Sequence, residues 1–199
     1  MQAIECFEVM AKSWKDQVVI CSLGMTSYGW WNVTESLRPF YMTSSMGLTS
    51  SLALGLSLCL PQATVWALDS DGSLAMNLSS LLTAAGEQPP NMTHFVLWNK
   101  SYQTIGGHPL TNDGKADFAA IARGAGIAEA LTVSSIAELE RVMRLIEQEP
   151  KYRVVVLDVE REERGTMLPL PIEGPEMKYR FGRELERQFG IHVFGPRGY

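Results

Sequence analysis

The sequence predicts an α/β domain, a doubly wound, mainly parallel sheet with helices on both faces, and three observations lead there. Short runs that are continuously apolar, as a strand buried on both faces must be, recur along the chain. Between them lie segments whose apolar side chains repeat every three to four residues, the period of a helix with one buried face. Hydrophobic residues make up 46% and charged residues 20% of 199 residues, enough apolar surface to fill one substantial core. Strands that alternate with helices are joined by crossovers, and crossovers make neighbouring strands parallel.

Each element follows in order. Ile4, Phe7, Val9 and Met10 repeat within residues 2–14 and predict an opening helix, after which Gln17-Val18-Val19-Ile20-Cys21 reads as a short buried strand. Further strands are expected at residues 64–68, 93–98, 130–133 and 153–157. Leu74, Leu78, Leu81, Leu82 and Ala85 stand at i, i+4, i+7, i+8 and i+11, which predicts one helix, and residues 118–125 and 136–146 predict two more. Residues 165–175 hold three prolines and two glycines, an irregular arm leading to a last helix around 179–189. The expected organisation is therefore a domain over residues 1–164 and a C-terminal arm and helix over 165–199, packed on that domain or on a partner.

Charge and cysteine usage narrow the function. Seventeen Lys plus Arg against 22 Asp plus Glu give a net charge of −5, which removes the electrostatic footprint of a general nucleic-acid binder. Cys6, Cys21 and Cys59 have no CxxC spacing and leave one thiol unpaired under any disulfide scheme, so reduced thiols and a cytoplasmic location are expected. Glu5, Glu8, Lys12 and Lys15 interrupt the N-terminal stretch, unlike a secretory signal. Residues 48–60 are apolar but broken by Ser and Thr, and fall short of the roughly 20 residues that span a bilayer. No membrane insertion is expected.

Several chemical templates fail: there is no HExxH, no zinc-type Cys/His spacing, and no GxGxxG after a strand. Gly24 and Gly29 have the spacing of phosphate-loop glycines, but Trp30 stands where the loop's lysine must be. The informative stretch is Val65-Trp66-Ala67-Leu68-Asp69-Ser70-Asp71-Gly72-Ser73-Leu74, a strand that ends in acids and turns at glycine into a helix. Ligands of such sheets bind at the carboxyl ends of strands, where N–H groups of a helix start face an anion and a carboxylate holds a divalent cation against it. Standing alone, the motif is better read as a strand-to-helix turn in which an Asp merely caps the helix. A second strand, however, ends at Leu97-Trp98-Asn99-Lys100-Ser101, 28 positions further on from Asp71 to Asn99. Asp71, the Asn99 amide oxygen and a main-chain carbonyl near Ser101 form an all-oxygen set suited to Mg²⁺ that also holds a diphosphate.

These residues resemble the thiamine diphosphate-dependent 2-oxo acid decarboxylases and their relatives, whose cofactor motif is Gly-Asp-Gly followed some two dozen residues later by Asn or Asn-Asn. Asp71-Gly72-Ser73 matches the core of that motif, with Ser70 in place of the first glycine and Lys100 in place of the second asparagine. The resemblance implies metal ligation by Asp71, Asn99 and the main-chain oxygen of Ser101, and diphosphate binding by the backbone around Gly72 and Ser73. Phe40-Tyr41-Met42-Thr43-Ser44-Ser45-Met46-Gly47-Leu48 resembles the family segment that enforces the cofactor's V shape. Met46 matches the apolar wedge between the two rings, and the Ser44 carbonyl matches the acceptor of the pyrimidine amino group. Through residues 40–60, 69–81 and 99–109 the chain is similar to the beta subunits of sulfopyruvate decarboxylase and the corresponding half of phosphonopyruvate decarboxylase.

What the resemblance implies is a subunit that uses thiamine diphosphate and Mg²⁺ to turn a 2-oxo acid into an aldehyde and CO₂. The activating glutamate of such enzymes sits on a pyrimidine-binding domain, for which this chain has no room, so a partner (alpha) subunit and a hetero-oligomer are expected. Carboligation of the acetolactate synthase type stays open as the reaction. His108, after Gly106-Gly107, is a candidate proton relay or substrate contact, and Arg38 a candidate for pairing with an anionic substrate. Trp30 and Trp31 are read as pocket or interface residues, the interface being preferred. Two other classes remain: a haloacid dehalogenase-like phosphatase with Asp69 as nucleophile and Asp71 as general acid, and a non-catalytic cofactor-fold interaction subunit.

Overall fold

The computed structural model describes residues 1–112, 115–161 and 168–195. Helix α1 (Ala3–Ser13) leads into β1 (Val18–Cys21), α2 (Met25–Thr34), β2 (Phe40–Tyr41), α3 (Thr49–Cys59) and β3 (Val65–Ser70). Then follow α4 (Asp71–Ala75), α5 (Ser79–Glu87), β4 (Met92–Trp98), a small hairpin of β5 (Ser101–Tyr102) and β6 (His108–Pro109), α6 (Phe118–Gly124), β7 (Ala130–Val133), α7 (Ile136–Gln148), β8 (Arg153–Asp158) and α8 (Gly174–Phe189). Six strands form one parallel sheet in the order β2-β1-β3-β4-β8-β7. The expected doubly wound α/β fold is what the chain adopts.

Alternation of side chains along each strand divides the core in two. Val65, Ala67, Met92, Val96, Val154 and Val156 face a cluster that takes in Ala53 and Leu54 of α3, Leu81 of α5, Phe118 of α6 and Phe181 and Leu185 of α8. Val19, Trp66, Leu68, Phe95, Leu97 and Val155 face the opposite cluster, closed by Phe7 and Met10 of α1, Trp30 of α2 and Leu139 and Met143 of α7. Local caps set the helix starts: Asp117 Oδ1 accepts from Ala120 N at 2.8 Å, and Ser135 Oγ from Glu138 N at 3.3 Å.

Three sequence expectations change. The single helix expected from Leu74 to Ala85 is two, α4 and α5, because Asn77 is pulled out of the helical path, its amide donating to Gly47 O at 2.8 Å. The last helix begins earlier than expected, at Gly174, with Pro175 in its first turn, where a missing N–H costs nothing. Trp30 is wholly buried between Phe7 and Trp14 at ring separations of 5.9 and 5.6 Å, so it is core and neither pocket nor interface. Of the expected arm over 165–175, residues 165–167 lie outside the described residues. Among the described residues no helix is long and apolar enough to cross a membrane.

Candidate functional site

Strand order locates the site before any side chain is considered. From β1 the chain first moves to β2 on one side and then returns to place β3 on the other, so the loops after β1 and β3 leave the sheet in opposite directions and a crevice opens between them. A cleft lies there, lined by Leu23, Met25 and Thr26 after β1 and by Ser70, Asp71, Gly72 and Ser73 after β3. Met46, Asn99, Ser101 and the segment from Tyr102 to Ile105 complete its wall. Of the eight residues singled out from the sequence, six (Met46, Asp71, Gly72, Ser73, Asn99 and Ser101) therefore line one cleft. Ser44 and His108 do not; Ser44 is exposed and His108 stands exposed on the β5–β6 hairpin.

Asp71 is 1% exposed, and among the described residues no Lys, Arg or His pairs with it. Burial pushes its carboxyl up to about 6, against the lowering effect of N–H groups from Gly72, Lys100, Asn99 and Ser101. Its Oδ1 accepts from Gly72 N and its Oδ2 from Lys100 N, both at 2.7 Å. The second bond joins the two strand ends across the cleft.

That bond depends on the backbone at Lys100, whose φ of 63° is left-handed. Asparagine tolerates this conformation better than lysine does. Lys100 instead carries its ammonium over the Trp98 ring at 4.5 Å and onto Asp158 Oδ1 at 2.6 Å. Asn99 Oδ1 accepts from Ser101 N at 2.9 Å while its amide donates to Gln103 Oε1 at 2.8 Å, so the amide oxygen is orientated and keeps a lone pair. No group of three or more His, Cys, Asp or Glu side chains placed to hold a metal ion occurs among the described residues. A cation at this edge would rest on one carboxylate supplemented by amide and main-chain oxygens, the hard-donor set that suits Mg²⁺.

The helix start is less open than the sequence suggests. Gly72 N is engaged by Asp71, and Ser73 N by Ser70 Oγ at 3.3 Å. A side chain at Gly72 would lie 2.9 Å from the Tyr102 ring, so the glycine makes room for that ring. Gly47 has a φ of +84°, donates to Ser73 Oγ at 3.0 Å and accepts from Asn77, which fixes Met46 at the cleft. The residues missed by sequence reasoning are Leu23, Met25, Thr26 and Gln103 to Ile105. The signal that could have found the first three is Gly24, which follows β1 at the edge where ligands bind.

Asp69 has a different fate from its neighbour. It is 0% exposed, on the α3 side of the sheet, with Oδ2 3.2 Å from His94 Nε2 and Oδ1 accepting from Ser70 N. A nucleophile must be reachable, so the phosphatase reading of Asp69 fails. Arg38 is likewise engaged, by the Trp14 ring, Lys15 O and Glu184.

The residues singled out from the sequence thus meet in a crevice at the strand switch, an Asp-Gly-Ser turn facing an Asn loop, and similarity to known proteins places the chain. The family model for thiamine pyrophosphate enzymes, C-terminal TPP binding domain, matches residues 21–159; the chain belongs to this family. It is 39% identical over 126 residues to sulfopyruvate decarboxylase subunit beta of Methanothermobacter thermautotrophicus, covering 63% of this chain and 67% of that one. The Methanocaldococcus jannaschii subunit of the same name is 30% identical over 173 residues, 86% of this chain and 89% of its own. Phosphonopyruvate decarboxylase of Streptomyces viridochromogenes is 30% identical over 66% of this chain, which spans 32% of that protein. Benzoylformate decarboxylase from Polynucleobacter necessarius shares the fold, with a TM-score of 0.67 at 17% identity over 85% of this chain and 34% of its own.

Proposed function

We propose that this chain is the diphosphate-binding subunit of a thiamine diphosphate- and Mg²⁺-dependent decarboxylase acting on a small anionic 2-oxo acid of the sulfopyruvate or phosphonopyruvate type. The observation that carries the reading is Asp71: a buried carboxylate that no Lys, Arg or His among the described residues pairs with, tied to the Asn99 loop in a cleft at the strand switch. Burying a carboxylate that only backbone N–H groups stabilise is costly, and a bound cation would lower that cost. The relatives' names supply the reaction and the substrate class.

When bound, the cofactor supplies the electron sink for the pair left behind by CO₂. The chain's own residues do the rest. Asp71, Asn99 Oδ1 and the Ser101 main-chain oxygen would hold the cation. The turn at Gly72 and Ser73 would take the diphosphate, where the long Ser73 N to Ser70 Oγ bond is readily exchanged for an anion. Met46 would set the ring geometry, the Ser44 carbonyl would meet the pyrimidine amino group, and His108 would stay a candidate proton carrier, on the hairpin that a partner would cover. We take residues 1–164 as the cofactor domain and 165–199 as its arm and helix, in a cytoplasmic protein whose three described cysteines are free thiols.

Relatives named as beta subunits imply an unlike partner, and we assign it the pyrimidine-binding (alpha) role with the activating glutamate. The test is decarboxylation of a panel of 2-oxo acids, with CO₂ and aldehyde both measured, by the chain alone and co-purified with its partner. Turnover is expected only in the complex and only with Mg²⁺ and thiamine diphosphate. Full turnover by the isolated chain refutes the split site, and ligated products in place of free aldehyde make the enzyme a carboligase.

A further inference from the structure

Two polar side chains that carry no part of the chemistry assigned to the cleft lie inside the apolar layer on the α3 side of the sheet. Asp69 on β3 and His94 on β4 are both 0% exposed, with His94 Nε2 3.2 Å from Asp69 Oδ2. Parallel register brings them together. Ala67 pairs with His94 and Asp69 with Val96, so the histidine stands on the neighbouring strand two residues before the partner of Asp69, and on the same face. Ala67 and Val96, beside them on that face, belong to the cluster that holds Ala53, Leu54 and Leu74. His94 Nδ1 meets no hydrogen-bond partner among the described residues.

Such a pair is a poor way to stabilise a core. Taking a carboxylate and an imidazole out of water costs about as much as their attraction returns, and apolar side chains of similar volume often replace buried ion pairs without loss of stability. What the pair adds is direction. Asp69 Oδ1 accepts from Ser70 N at 2.9 Å, and Ser70 Oγ accepts from Ser73 N at 3.3 Å, so a run of hydrogen bonds passes from β4 through Asp69 and Ser70 into the first turn of α4. Asp71 lies within that run, after the residue that His94 holds and before the N–H that Ser70 caps. Its own carboxylate reaches the end of β4 again, at Lys100 N and 2.7 Å. The end of β3 is thus fastened to the β4 chain on either side of Ser70, and the backbone leaves the sheet between the two fastenings.

We infer that His94 and Asp69 are a positioning pair for the turn that would hold the cation and diphosphate, an inference that rests on the proposed cofactor site. His94 holds the Asp69 carboxylate, the carboxylate holds Ser70 N, and Ser70 sets where Asp71 and Gly72 leave the strand. Neither side chain lines the cleft and both are closed to solvent, so the pair acts through the turn alone. Groups that orient metal ligands in this way are worth about 10- to 100-fold in metal affinity. A pair that served folding alone would lose cofactor only in step with folded protein.

The experiment uses the chain co-purified with its partner subunit. It measures thiamine diphosphate binding in Mg²⁺ by isothermal titration calorimetry, and folding by thermal unfolding without cofactor. Asp69→Val with His94→Leu replaces the pair by apolar side chains, so the unfolding midpoint should hold. Cofactor affinity should nevertheless fall by about 10- to 100-fold. Asp69→Asn, which keeps an acceptor for Ser70 N and a hydrogen bond to His94, should stay within about threefold of the wild type. Wild-type affinity in the apolar variant overturns the inference with the functional reading intact, as does a loss that merely follows the loss of folded protein. If the apolar variant does not fold, Asp69→Ala below its own unfolding transition carries the comparison. Affinity at least about 10-fold weaker than in Asp69→Asn supports the pair's role, and equal affinity in the two overturns it. Asp71→Ala should lose the cofactor; cofactor retained by that variant overturns the functional reading and the inference with it.

Discussion

Asp71 carries a cost that can be measured. Its carboxyl, at about 6 in the fold against an ordinary 3.8, binds a proton more readily folded than unfolded. A group raised in this way contributes stability that is complete below the unfolded value and is lost as pH rises through the folded one. The difference of about two pKa units corresponds to roughly 3 kcal/mol, of which about 2 kcal/mol lies between pH 4.5 and 7.5. Asp71→Asn removes the titration. The amide keeps an acceptor for Gly72 N but turns a donor toward Lys100 N, a pH-independent loss of about 1 kcal/mol. Urea unfolding of the metal-free and cofactor-free chain, followed by fluorescence of its buried tryptophans, should show the variant gaining on the wild type by about 2 kcal/mol from pH 4.5 to 7.5. A difference that stays flat over this range refutes the claim that burial of an uncompensated charge dominates the site.

Ligand addition should act through the same residue: Mg²⁺ with thiamine diphosphate at a hundred times its dissociation constant should stabilise the wild-type chain by about 2.7 kcal/mol in differential scanning fluorimetry, and Asp71→Ala by none of it. Asp69→Ala should cost about 3 kcal/mol in chemical unfolding because it takes from His94 its carboxylate partner in a fully buried position, while Asp69→Asn, which retains a hydrogen bond, should cost much less. Met46→Ala in the complex should lower kcat more than cofactor affinity, since it removes bulk from the cleft wall and no metal or diphosphate contact; equal kcat in variant and parent would remove Met46 from the site.

How much of the fold is legible in the sequence depends on the range of the physics involved. Strands buried on both faces are continuous in apolar residues, so the expected bounds of β1, β3, β4, β7 and β8 lie within two residues of the observed ones. The residues after β3 and β4 can be placed together because parallel strands bring their carboxyl ends to one edge. Asp69 and Asp71 cannot be told apart on these grounds. They are two residues apart, and a strand would turn both to one face. They separate because β3 runs on to Ser70, pairing Asp69 with Val96 and Ser70 with Leu97, and the chain then turns into α4 at Asp71. The contact that fixes Asp69, to His94, lies 25 residues away and leaves no local pattern. Asn77 misleads for the same reason: its bond to Gly47 spans 30 residues and breaks a helix that apolar spacing alone continues.

Residues 48–60 show a different kind of legibility. Measured only against a bilayer, the run is too short and too rich in serine to count. A helix apolar around most of its circumference has nevertheless more surface to bury than one sheet can cover. α3 buries Ala53 and Leu54 against the sheet and still leaves Leu58 48% exposed, with no charged residue anywhere on it. Such an excess is a statement about assembly, and hydropathy alone already makes it.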